Sequence, residues 1–510
     1  MNSETRQEVA PGGRWAESPR GGGDPTATRF AADSARYGVA VVIPALVTVA
    51  GVALFTRWFT PAQYGVYALV TAASAPAATV LGQLSGNATG RYFRDFYENG
   101  EGEVFRLATA WLVGATVLGG VILTVLAGAV LALAGEATPV LLWLIGGAGV
   151  GLVATSVMTL LLPILSSAFE VRAFVAVTVG AALASLAVTL ALLAVGGHQV
   201  AWLVWGPAAG RFVMLPYLWR WAKPARIGAA LAATRSLRPV LVRFLRYGTP
   251  LVVWAFAGSL LGLGDRYIIG AFRGPGAVAL YSVSYSLASQ AVGLVTGPMI
   301  TASWPILLKS WAAAGASGVG RVLTGITNQY VAMGLALVGL TELTALPVAH
   351  LLLGGRFLRG VSVMTPILIG SLLWGAGRLI HAPLKLEERT WILALDAVLA
   401  GVFNLLLNLV LVPRWGYQGS AWASALGYLA YLALIVRQTS PAVAWRPDGR
   451  AVAASGLAVG AAWLGTMLSA VPLTAHAGAW VQGAARGGEY LALLAVLRRT
   501  WLAPLVPRRR

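Results

Sequence analysis

Arg211 lies deep inside an apolar stretch, about eleven residues from its start, or roughly 16 Å along a helix at 1.5 Å per residue. A guanidinium at that depth cannot easily snorkel to an interface, and a charge in hydrocarbon is costly. Its planar fork of donors suits phosphate oxygens, so one reading is a cavity-facing cation for an anionic group. The other reading is a structural pair with a buried carboxylate. Asp265 and Arg266 stand together near the end of another apolar stretch. They either serve a site or pair to close that helix end. Arg378 lies toward one end of its stretch, where it snorkels to the surface or meets an anion. Arg36 and Arg246 each open a stretch, as interfacial anchors or as a symmetric pair of cations at a cavity mouth. Arg211, Arg266, Arg378, Arg36 and Arg246 are thus the candidate anion-binding residues.

Asp265, Glu342 and Asp396 are candidates for ion coupling, because carboxylates within spans relay protons or bind cations. Asp396 is only about two turns into its stretch and can also reach the interface. Asn404 and Asn408 share a helix face at i and i+4, which suits hydrogen bonding between helices. Other chemistry is poorly served. The chain has no cysteine, and its histidines, His198, His350, His381 and His476, are scattered without metal-ligand spacing. They read as polar residues at helix ends. No Gly-rich phosphate loop, paired carboxylates or nucleophile constellation occurs. No metal, cofactor or catalytic residue is expected, and nucleic acid is not an expected partner.

The elements that hold these residues follow from composition. Of 510 residues, 58% are hydrophobic and 11% charged, against roughly 25% charged in a soluble domain. Apolar stretches long enough to cross about 30 Å of hydrocarbon recur from residue 37 to the end. Lipid leaves only helices or closed barrels, and continuous apolar runs without alternation exclude the barrel. The fold class is an all-α integral membrane protein. Fourteen helices are predicted at about 37–56, 64–86, 107–134, 138–163, 173–195, 200–219, 248–270, 276–302, 323–350, 361–383, 391–412, 417–436, 451–471 and 484–503. Residues 1–35 are polar, lack a signal-peptide h-region, and read as a disordered cytoplasmic tail.

Net charge is +19. With the N-terminus inside, 29 of the 37 Lys and Arg fall in cytoplasmic segments and six in outer loops. Such a bias fits the positive-inside rule and places both termini in the cytoplasm. The richest interior segment, residues 220–247, reads as a linker that also meets anionic headgroups. It separates two sets of six helices that echo each other. Arg36-Tyr37-Gly38 and Arg246-Tyr247-Gly248 open the first helix of each set; Pro61 and Pro275 stand six residues before Tyr67 and Tyr281. Gly197-His198-Gln199 precedes Trp202, and Gly416-Tyr417-Gln418 precedes Trp422. The pattern predicts an N-lobe over 36–219 and a C-lobe over 248–437, related by a parallel repeat. Two further helices and a basic tail fill 438–510. Parallel repeats belong to transporters that hold substrate between lobes.

Three stretches carry a resemblance: FTPAQYGVYALV at 59–70, GDRYIIGAF at 264–272 followed by GPGAVALYSVSYSLA, and NLLLNLVLVPRWGYQGSAWAS at 404–424. In order and spacing the chain resembles the polysaccharide-transporter branch of the multidrug/oligosaccharidyl-lipid/polysaccharide exporter superfamily, which includes the O-antigen-type flippases. It departs from the family's Gly-Pro-x-x-Tyr-Gly turn in having Thr60 for Gly. The resemblance implies V-shaped lobes, alternating access, and a polyprenyl-pyrophosphate-linked saccharide moved from inner to outer leaflet of the bacterial plasma membrane. Expected partners are that substrate, membrane lipids, and the glycosyltransferases and polymerase of the same pathway. A peptidoglycan-precursor flippase and a cation-coupled drug exporter of the same fold are alternatives. A membrane glycosyltransferase or polymerase needs a sizeable outer loop, and every outer loop here is short. Trp and Tyr gather near span ends as an aromatic belt would, and are not taken as a sugar platform.

Overall fold

The computed structural model describes residues 27–135, 137–387, 389–443, 445–446, 448–468 and 479–497. The first part of the expected N-terminal tail, the 13–14 connection with His476, and the C-terminal tail lie outside them. The described residues contain helices and no strand. The N-lobe comprises α1 (Ala27–Trp58), α2 (Pro61–Glu98), α3 (Gly102–Leu133), α4 (Pro139–Ser167), α5 (Val171–Gly196) and α6 (Ala201–Ala222). A short α7 (Ile227–Ala232) leads into α8 (Thr234–Leu263) and α9 (Asp265–Leu352). After a 3-10 turn, Gly355–Val363, come α10 (Met364–Ile380), α11 (Ala382–Leu386), α12 (Thr390–Val443), α13 (Gly449–Leu468) and α14 (Ala479–Val496).

Among the described residues, nine continuous helical stretches are long and apolar enough to span a membrane. Reversals fall inside three of them. The chain turns back at Gly274, where φ is 77°, at Gly315, where φ is 56°, and at Gly416, where φ is 59°. All three have a positive φ that a side chain would strain. The seventh crossing is therefore α8 with 265–273, the eighth 275–313, the ninth 316–352, the eleventh 390–415 and the twelfth 417–443. With α6, α13 and α14, fourteen crossings result, in two six-helix lobes plus a C-terminal pair.

The helices are longer than a bilayer core requires, and one end of the bundle, the basic face, carries residues 99–101, 168–170, 223–247, 387 and 389. At about 1.5 Å per residue, the 38 residues of α2 measure roughly 57 Å. The segment 220–247, expected as a loop, is mostly helical. Leu237, Leu241, Phe244 and Gly248 form a buried stripe at helical spacing against the ends of α2 and α3, while Arg235, Arg238, Arg243 and Arg246 face outward. Helix α1 likewise begins at Ala27, inside the stretch read as tail.

The opposite, far face is where the lobes close. Val52, Phe55, Phe59 and Tyr64 pack with Ala279, Val283, Leu353 and Phe357 in one buried cluster. Backbone joins add to it: Arg57 donates to the Leu351 carbonyl at 2.7 Å, and the Gly354 N–H donates to Thr56 Oγ1 at 3.1 Å. Helix α2 starts here with a capping box. Gln63 N–H donates to Thr60 Oγ1 at 3.3 Å, and Thr60 N–H donates back to Gln63 Oε1 at 3.0 Å. Thr60 thus supplies a cap that the family's usual glycine lacks. On the other side of the molecule α13 and α14 lean on the ninth crossing through Leu343, Val459, Ala462, Tyr490 and Leu494.

Candidate functional site

Small residues on α6 decide where Arg211 points. Gly206 and Gly210 approach α5 so closely that a Cβ on either would strike Thr189 or Ser185. That contact fixes one face of α6 against α5 and turns the next residue, Arg211, toward the lobe's interior. There it lines a cavity of about 550 Å³ walled by α1, α2, α4, α5 and α6, and reached by Ser286 of the eighth crossing. The wall is mostly apolar, with hydroxyls from Tyr67, Thr71, Thr178 and Thr189. Arg211 is the one charged side chain among the described lining residues, and no carboxylate pairs with it among them. Standing at the middle of α6, it is roughly 15 Å from either helix end at 1.5 Å per residue. Arg211 thus faces the cavity, with no carboxylate among the described residues that line it.

Asp265 and Arg266 are placed differently. They are 1% and 5% exposed and bonded on all sides. Arg266 Nη1 donates to Asp265 Oδ1 at 3.2 Å and to the Gly262 carbonyl at 2.7 Å; its Nε donates to Ser282 Oγ at 3.1 Å. Asp265 Oδ2 accepts from Tyr281 and, at 3.2 Å, from Ser424. The guanidinium also lies 4.7 Å from the Tyr285 ring centre, and Tyr285 meets Tyr428 at 3.0 Å. One ion pair therefore joins the seventh, eighth and twelfth crossings. A charge pair this satisfied is a structural node, since buried pairs persist only where their remaining bonds are met.

The other expected residues are scattered. Arg36 and Arg246 are exposed near the basic face, and Glu342 is exposed on the ninth crossing. Asp396 is 2% exposed, with Oδ2 lacking a hydrogen-bond partner. Asn408 ties the eleventh crossing to the twelfth, accepting from Ser420 at 2.7 Å, whereas Asn404 Nδ2 has no partner. Arg378 is exposed near the end of α10, three residues before His381, which belongs to a cluster of aromatic rings. Trp254 and Trp374 stack at 5.9 Å with 12° between their planes. Trp254 Nε1 donates to Tyr431 Oη at 3.0 Å, His381 Nδ1 meets the same hydroxyl at 3.2 Å, and Lys385 Nζ lies 4.9 Å from the Trp254 ring centre. Trp254, Trp374, His381 and Tyr431 were not singled out in the sequence as a group. Trp254 stands seven residues past the end of the basic-face segment 223–247, about two helical turns into the seventh crossing.

Comparison with known proteins agrees with this architecture. The solved structure titled lipid II flippase MurJ, in an inward closed conformation, superposes with a TM-score of 0.72 at 13% identity, covering 92% of this chain and 100% of that one. An inward-facing multidrug-resistance MATE transporter gives 0.63 at 12% identity, covering 80% and 98%. A transporter of the same superfamily from Pyrococcus furiosus, described as having a binding pocket of reverse polarity, gives 0.56 at 11%, covering 86% and 99%. At these identities the likeness is one of fold. No curated protein sequence gives a significant match. The family model for polysaccharide biosynthesis proteins matches residues 30–311, more than half of the chain. The chain belongs to that polysaccharide biosynthesis family, and its fold is that of the flippases and exporters of the MOP superfamily.

Proposed function

We propose that the protein is a flippase for a polyprenyl-pyrophosphate-linked saccharide, moving it from the inner to the outer leaflet of a bacterial plasma membrane. The observation that carries the reading is Arg211, a deep guanidinium in the N-lobe cavity without a carboxylate partner. Its role is to replace water around a pyrophosphate, which could not otherwise sit at that depth. The polyprenyl tail stays in lipid, the head enters the cavity, and the lobes rock to exchange access between faces. The basic face is cytoplasmic in this reading, as the bias of Lys and Arg requires. The structure is then closed on the outer side. The lobes are 36–219 and 248–437, joined through 220–247, whose exposed arginines meet anionic lipid headgroups. Asp396, buried with an unmet oxygen, is the carboxylate best placed for ion coupling. Glycosyltransferases and a polymerase would supply and consume the substrate.

Transport of a fluorescent polyprenyl-pyrophosphate saccharide in proteoliposomes tests the reading. Wild type flips the lipid, Arg211→Ala inserts normally but does not, and Arg211→Lys keeps part of the rate because charge persists without the bidentate fork. Exchange of a cationic drug for protons, with no lipid flipping, would overturn the substrate and keep the fold. That rival calls for a carboxylate among the cavity walls, and the described lining has none.

A further inference from the structure

We infer that the arginines of the far face form a release site for the pyrophosphate headgroup, taking it as the lobes part; the inference rests on the flippase reading above. The residues are Arg57, Arg273, Arg356, Arg359 and Arg414, all exposed. They stand at the 1–2, 7–8, 9–10 and 11–12 connections, and the described residues of the far-face connections include no acid. No ion pair among the described residues involves any of them. The fold gathers them. Arg273 Nη2 donates to the Pro413 carbonyl at 2.7 Å, next to Arg414. Tyr417 Oη donates to the Arg359 carbonyl at 3.1 Å, and Gln418 Nε2 donates to Ser362 Oγ at 3.3 Å. The three C-lobe connections are thus tied into one plate. Arg57 comes from the N-lobe and bonds the Leu351 carbonyl across the seam. Gly354, two residues before Arg356, lies so close to the backbone of Thr56 and Arg57 that a Cβ would strike it. The plate therefore lies along the line on which the lobes separate.

These cations run against the inward bias of Lys and Arg, so membrane topology does not account for them. Like charges gathered without a counter-charge raise the local potential and draw anions from solution. A guanidinium offers a fork of donors that meets phosphate oxygens two at a time, and a pyrophosphate has oxygens enough for several such forks. Arg57 selects where the anion comes from. Its guanidinium reaches across the seam to the C-lobe rather than outward to lipid, so it is placed for an anion arriving between the lobes. In the closed state it is held by a neutral carbonyl. Parting of the lobes breaks that bond, and an ionised oxygen is then the stronger partner. An anion that binds the open arrangement better shifts the balance toward it. A headgroup leaving Arg211 thus meets its next cations at the mouth, where water replaces the protein's donors and the lipid departs.

The test uses the full chain in proteoliposomes of phosphatidylcholine, which carries no net charge. A single Thr71→Cys in the N-lobe cavity reports opening, through labelling by an impermeant maleimide from the far side. Arg211→Ala is combined with it, so that an anion bound inside the cavity cannot produce the response. Inorganic pyrophosphate supplied at the far side raises labelling by about fivefold, the low end for coupled sites. The response shrinks at high ionic strength, because the cations are exposed. Replacing both Arg356→Gln and Arg359→Gln abolishes it; such surface side chains can be changed with little effect on folding. Arg57→Gln also abolishes it, read as the ratio with and without pyrophosphate, and Arg57→Lys keeps part of it. No response to pyrophosphate, or the same response with Arg356 and Arg359 replaced, would overturn the inference. So would a rise caused by phosphatidylglycerol in the bilayer with nothing added by pyrophosphate, which would make the plate an anchor for membrane phospholipid. Lipid flipping by wild type without any pyrophosphate response would keep the flippase reading and sink the release site. A pyrophosphate response in a protein that flips no lipid would keep the anion site and sink the flippase reading, so the two failures are distinct.

Discussion

Gly65 of α2 packs directly on the backbone of Pro275, the residue that opens the eighth crossing; a Cβ at Gly65 would fall on the Pro275 carbonyl. Pro275 is the repeat counterpart of Pro61, four residues before Gly65, so the contact joins the starts of the second helices of the two lobes. The contact brings the lobes into backbone contact at the far face, with Tyr64 and Phe357 packed beside it, 5.8 Å apart.

Gly65→Val should therefore disfavour the far-face-closed state while leaving each lobe intact. Since the chain has no cysteine, a single Thr71→Cys in the N-lobe cavity reports access directly. Labelling by an impermeant maleimide from the far side should rise by about fivefold or more, because even 1 kcal/mol shifts a two-state balance that far. Unchanged labelling would mean that the contact does not govern closure.

Asp265→Asn leaves Arg266 buried without its counter-charge. The expected loss is about 3–5 kcal/mol, read as a large fall in the unfolding midpoint in detergent. Ser424→Ala removes only one of the two hydroxyl donors to Asp265 and should cost about 1 kcal/mol. Equal effects from the two would remove the ion pair from its position as the node of the C-lobe.

Asp396→Asn is predicted to leave stability unchanged or raise it by about 1–2 kcal/mol, since a buried oxygen without a partner is a standing desolvation penalty. Under the coupling proposal the variant still binds substrate, yet its transport no longer responds to an imposed proton or sodium gradient. A gradient response equal to that of wild type would exclude Asp396 as the coupling group.

Thr60→Ala breaks the capping box at the start of α2 and should cost about 1 kcal/mol, whereas Thr60→Gly should cost only a few tenths. The ordering can be read from unfolding midpoints of the two variants. A glycine variant as unstable as the alanine one would show that the hydroxyl does more than cap.

The sequence alone determined the solvent, the number of crossings and the repeat. Those follow from local quantities: an apolar run must span lipid as a helix, and basic residues mark one side. It also singled out Arg211, because a charge deep in an apolar run is visible without any neighbour. Three things needed the tertiary structure. Arg211 as a cation without a described acid, and Asp265–Arg266 as a satisfied node, look alike in the chain, since both are charges within apolar stretches; partners 16 to 159 residues away separate them. The helical character of 220–247 was hidden by its arginines, because its stripe of Leu237, Leu241 and Phe244 has meaning only against the ends of α2 and α3. The aromatic cluster was hidden by its own composition. Trp254, Trp374 and Tyr431 lie on three different crossings, so only packing shows that these rings touch.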